Sequence, residues 1–153
     1  MMHLAELNIA VPKYPLDDPR IADFMDNLER INGLAATMPG YLWMHKDDTG
    51  HAMHIPTPWP GAAANLTVWE SAEHLEHFVW NTVHKRFYNR KAEWFSAMQS
   101  HHFVMWHVEE GHRPTLLEAR DRLAHLDTHG NSDFAFGWSH LPHIKLWQSQ
   151  RCA

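Results

Sequence analysis

Residues 65–80 read NLTVWESAEHLEHFVW, and the spacing of apolar residues changes inside this stretch. Up to Trp69 or Glu70 it has the short, alternating character of a strand. Beyond Ser71, Leu75, Phe78 and Val79 recur at helical spacing. Ser71 is a fitting N-cap, and Glu73 suits the positive end of the helix it opens. The stripe continues through Val83, Phe87, Trp94, Phe95 and Met98, so helix is expected to about residue 98. Its phase slips near Asn81-Thr82, which predicts a kink or two helices.

Upstream, residues 3–11 alternate strictly. Ala5, Leu7, Ile9 and Val11 share one face; Leu4, Glu6, Asn8 and Ala10 share the other. The proline-rich PKYPLDDP breaks the chain, and Asp17 or Asp18 with Pro19 opens a helix carrying Ile21, Phe24, Met25, Leu28, Ile31 and Ala35. Pro39-Gly40 ends it. YLWMHKD (41–47) is a second strand, and residues 48–64 form a long Pro/Gly/Ala-rich connection, a lid or an interface arm. Downstream, residues 101–110 alternate His102, Val104, Trp106 and Val108 against Phe103, Met105 and His107. An amphipathic helix follows over 115–130, with Thr115 and Glu118 as a capping box and Gly130 as its stop. Phe134, Phe136 and Trp138 suggest a short extra strand.

The order β-α-β-loop-β-α-β-α predicts one α+β domain over residues 1–153. It is a ferredoxin-like, four-stranded antiparallel sheet with helices on one face, plus an extra C-terminal helix. A second apolar sheet face needs a cover. Burial against the same sheet of a second copy, giving a two-fold homodimer, is the simplest one.

The 153 residues suffice for a core without covalent staples. Cys152 is the single cysteine, which excludes an internal disulfide and fits a reducing, cytoplasmic setting. The N-terminus lacks the basic and apolar regions of a signal peptide, and no stretch is long and apolar enough to span a bilayer. A net charge of −5 argues against nucleic acid and anionic membrane as partners. Eight tryptophans suit a pocket for a flat apolar or aromatic molecule, or an aromatic interface.

The segments LNIA…PLDDPRIADFMDNLERINGLAATMPGYLW, NLTVWESAEHLEHFVW and MWHVEEGHRPTLLEARDRLAHLDTHG resemble the bacterial family known as domain of unknown function 3291. The likeness spans roughly residues 4–137, and the GHRPT segment is its most specific part. The resemblance implies the dimeric α+β barrel superfamily, which includes antibiotic-biosynthesis and haem-degrading monooxygenases. LTVWES with its helix is also similar to the small haem-degrading monooxygenases. That likeness implies Asn8, Phe78 or Trp80, and His84 as the residues that work on haem.

The candidate catalytic residues are therefore His84, Asn8 and Glu6. On a continuous helix His84 shares a face with Trp80, Phe87 and Tyr88. There it acts as axial ligand or general base, or is simply a core histidine bonded to a backbone carbonyl. Glu6, if buried, gains a raised pKa and a proton-transfer role, or else is an interface hydrogen-bonding group. Trp69, Trp80 and Trp106 would shape the pocket. Arg86 and Arg90, four apart, would clamp an anionic group of the ligand or else pair with Glu93 at the surface. His112 and Arg113 before Pro114 either bind a ligand or lock the turn. The pairs His51/His54, His74/His77 and His101/His102 lack a third ligand at a recognised metal spacing. The reading is a monooxygenase-like oxidoreductase for an aromatic or polyketide-like substrate, haem-assisted or cofactor-independent. The alternative is a non-catalytic metabolite- or haem-binding stress-response protein.

Overall fold

A strand with one apolar face and one mixed face, both of them buried, belongs in the middle of a sheet. In the computed structural model, which describes residues 1–150, that strand is β1 (Met2–Pro12). It pairs antiparallel with β3 (Ala63–Trp69) on one edge and with β5 (Phe103–Glu109) on the other. β2 (Tyr41–Met44) lies outside β3. A two-residue β4 (Phe95–Ser96) pairs with the far end of β1. The order β2-β3-β1-β5, with β4 continuing the β5 edge, is that of a ferredoxin-like α+β sheet.

The registers fix the faces. Glu6 lies between Thr67 and Met105, and Leu4 between Trp69 and His107. Ala5 lies between Val68 and Trp106 on the opposite side. α1 (Ala22–Thr37) and α2 (Ala72–Asn81) cover the Leu4/Glu6 side, packing Ile31, Ala35, Leu75 and Phe78 with Leu4, Trp69 and Met105. Asp18 caps the 3-10 turn that leads into α1 through Arg20 N–H at 2.8 Å. Ser71 caps α2 as the sequence predicts. Gly40 requires glycine: its φ is +85°, and an added Cβ would lie 2.2 Å from the His74 ring.

The other face carries the principal difference from expectation. The chain closes it without a second copy. α5 (Leu116–His129) lays Ala119, Leu123 and Leu126 on Ala5, Leu7, Leu66, Val104 and Trp106. Trp43, Trp59 and Ala62 pack at the rim, so the long connection contributes an anchor to this face. Leu7, Leu66 and Trp106 are fully buried within one chain. An amphipathic stripe shows that a helix buries one side but not which surface receives it.

The helix expected to run to about residue 98 is shorter and comes in three pieces. Thr82 is extended, its hydroxyl donates to Phe78 O at 2.6 Å, and it accepts from His84 N–H at 3.2 Å. The chain restarts as α3 (His84–Asn89) and α4 (Lys91–Trp94), then straightens so that Phe95 and Ser96 pair with Pro12 and Val11. The predicted break at 81–82 is present; the helical reading of Phe95 and Met98 is corrected. Phe136 exchanges two backbone hydrogen bonds with Met105, at 2.8 and 2.9 Å, a single bridge that partly covers the outer edge of β5. Cys152 lies outside the described residues. Among the described residues no helix is long and apolar enough to cross a membrane.

Candidate functional site

Strand alternation sends Glu6 into the layer between the sheet and α1/α2, where it is only 3% exposed. Three donors form a chain around its carboxylate. Asn8 Nδ2 donates to Oε1 at 2.6 Å, and the Thr67 hydroxyl donates to Oε2 at 2.8 Å. Trp69 Nε1 donates to the Thr67 oxygen at 3.0 Å. Both donors on the carboxylate favour its charged form. Burial opposes them and wins, pushing the pKa from the ordinary 4.5 up to about 7. Near neutral pH such a group both holds and releases a proton, which is what a general acid or base requires. Glu6 and Asn8, both expected from the sequence, are thus in direct contact.

His84 is part-buried at the start of α3. Nδ1 donates to Val79 O at 3.4 Å, which leaves Nε2 bare in the neutral ring. Burial holds its pKa down to about 4, against the smaller upward pull of that carbonyl. The ring lies 4.9 Å from Phe78, and Phe78 stacks on Trp69 at 5.4 Å. His84 therefore reaches the Glu6 chain through two aromatic rings, its own ring packing on Phe78 rather than on Trp80 or Tyr88. The break at Thr82 rotates it off the face a continuous helix would give. Trp80 pairs edge-on with Tyr88 at 4.8 Å instead, and its buried Nε1 has no hydrogen-bond partner among the described residues. Phe87 stacks on Trp94 at 6.0 Å.

Other expected ligand-binding residues are dispersed. Trp106 lies on the α5 side of the sheet and Trp69 on the α1/α2 side, so the two indoles do not wall one pocket. The Trp106 indole donates to Glu118 Oε2 at 2.8 Å, and His112 Nε2 meets Glu118 Oε1 at 2.7 Å. His112 thus helps tie its turn and β5 to α5 through Glu118. Arg90 bonds Glu93 at 2.8 Å and Asp23 of α1 at 3.0 Å, joining two helices, while Arg86 is exposed. Sequence reasoning missed Thr67, and it read Glu118 only as a capping-box residue, without its ties to Trp106 and His112. Thr67 is visible as a partner for Glu6 only once the β1–β3 register is known.

Haem requires a ligand and a flat space. A neutral His84 with Nε2 bare meets the first requirement. The second fails, because Phe78 and Trp69 occupy the layer beside it and His84 lines neither of the two surface hollows that stand out. The site as folded does not fit a macrocycle. Among the described residues no group of three or more His, Cys, Asp or Glu side chains is placed to hold a metal ion.

The comparisons with known proteins bear on the family rather than the chemistry. No curated protein matches the chain. The family described as Domain of unknown function (DUF3291) matches residues 3–152, nearly its whole length. With the α+β fold and a match of that extent, the chain belongs to the DUF3291 family.

Proposed function

We propose that the chain is a cytoplasmic small-molecule enzyme of the monooxygenase-like α+β barrel type, acting on an aromatic or polyketide-like apolar substrate without haem, with Glu6 as its proton-transfer group. The observation that carries this reading is the Glu6 carboxyl, buried, bonded by Asn8 and Thr67, and raised to about 7. Buried groups with strongly shifted pKa values cluster at working sites. Deprotonating a quinol or enol makes it electron-rich, the first requirement for direct reaction with oxygen. On this reading Glu6 accepts that proton, and Asn8, less buried beside it, orients the substrate oxygen. Because Glu6 is 3% exposed, the reading requires the α1/α2 side to open when substrate binds. The homodimer expected from the sequence belongs to this reading as a question for sedimentation, since α5 already covers the face it was invoked to bury.

A second reading, a metabolite-binding protein without turnover, is favoured by one feature: Trp69, Phe78 and His84 fill the layer beside the Glu6 chain with rings. Oxygen uptake over a panel of quinols separates the two. The enzyme reading expects turnover by the natural chain and a loss of about a hundredfold or more in Glu6→Gln, as for removal of a general base. Absence of uptake across the panel, or full activity in the variant, removes Glu6 chemistry and leaves the binder.

A further inference from the structure

A second place in the fold has the parts of a binding site and is separate from Glu6. The connection between β4 and β5, the last turn of α5 and residues 130–139 enclose an open hollow of about 890 Å³. That volume suits a small organic molecule. We propose that this hollow binds a neutral aromatic molecule bearing a hydroxyl group, with His101 as the hydrogen-bond acceptor.

The geometry of His101 supports the assignment. Its backbone N–H and its ring Nδ1 both reach Asp127 Oδ1, at 3.0 and 2.7 Å. A carboxylate oxygen accepts, so in the neutral tautomer that fits this contact Nδ1 carries the proton and Nε2 presents a lone pair. The double tie joins the connection before β5 to α5 and fixes the ring at the hollow. His102 next to it is pushed below the ordinary histidine range, by burial first and by the Lys91 charge second, and adds no positive charge. Among the described residues no lysine or arginine lines the hollow, and Asp127 does, so these side chains disfavour a carboxylate or phosphate ligand.

The remaining lining suits an aromatic body. Phe103, stacked on Trp138 at 5.4 Å, and Met98 offer apolar surface over the buried Leu126. Gly137 keeps one wall clear. Its φ is −102°, and an added Cβ would meet nothing nearer than 3.9 Å, so neither backbone nor packing demands glycine there. The missing side chain leaves room in the hollow.

The test is titration of the full chain with 2-naphthol, and with naphthalene as the probe lacking the hydroxyl, followed by amide NMR shifts. We expect saturable naphthol binding that moves the Gly130, Asn131 and Gly137 amides. His101→Ala, at a half-exposed position, should weaken naphthol about tenfold, one hydrogen bond's worth, and leave naphthalene unchanged. Gly137→Leu should weaken both probes, and Glu6→Gln neither. The proposal is overturned if naphthol fails to saturate, if the shifts map elsewhere, or if His101→Ala binds naphthol like the natural chain. Circular dichroism establishes that each variant is folded.

Discussion

On the α5 side of the sheet, the run Ala5, Leu7, Ile9 meets Leu66, Val104 and Trp106, and the indole N–H of Trp106 is satisfied at the rim by Glu118. On the α1/α2 side, Leu4 and Trp69 are interrupted by Glu6 and Thr67. Both faces exclude water, but by different chemistry. The first gains from every side chain it hides. The second holds a carboxylate that burial makes hard to ionise, and only its three-donor chain makes the arrangement tolerable. A sheet needing only stability would repeat the first face twice. The polar chain is the feature that packing does not require.

This contrast makes truncation on the two faces change stability in opposite directions. Leu7→Ala on the α5 side should lose about 2–5 kcal/mol, read as a lowered urea midpoint. A loss under about 1 kcal/mol would mean that α5 does not seal that face as described. Glu6→Gln should gain stability above pH 7. The folded carboxyl keeps its proton to about 7 whereas the unfolded one releases it near 4.5, so the folded state binds more protons between these values. Stability of the natural chain therefore falls as pH rises from 4.5 to 7, by roughly 3 kcal/mol from this group alone. The variant should lack that slope.

Smaller effects sharpen the comparison. Glu118→Ala orphans the buried Trp106 indole N–H and releases His112, and should cost about 1–3 kcal/mol without altering chemistry at Glu6. His84 acts with the opposite sign to Glu6. Its folded pKa is depressed to about 4, so the unfolded chain binds the extra proton as pH falls from 6.5 to 4, and stability drops over that range. His84→Phe should flatten the acid limb and expose the Glu6 slope, measured as urea midpoints at half-unit pH steps. His84 is less deeply buried than Glu6, so solvent screening should hold its effect below the roughly 3 kcal/mol of Glu6.

Much of this was legible in the residues. The alternation of 3–11 and 101–110 assigned each side chain to its correct face, and Asp18, Ser71 and Thr115 stand as the caps their types suggested. Glu6 and Asn8 were visible as polar intrusions on a buried strand. What periodicity left open is which surface a helix meets, and so α5 supplied a cover that a second copy was expected to provide. Trp94 and Phe95 fit either rhythm, and only pairing with Val11 and Pro12 decides for a strand at Phe95. Trp69 and Trp106 have the same strand context in sequence but are divided by register. The tie between His101 and Asp127, 26 residues apart, has no local signature at all.

The central claim rests on the protonation of one side chain. Carboxyl ¹³C NMR of the full protein, with Glu6→Gln to assign the resonance, gives its titration midpoint directly. The account predicts a midpoint near 7 for Glu6. A midpoint at the ordinary glutamate value, near 4.5, would mean that water reaches the carboxylate and that the α1/α2 side holds no poised proton.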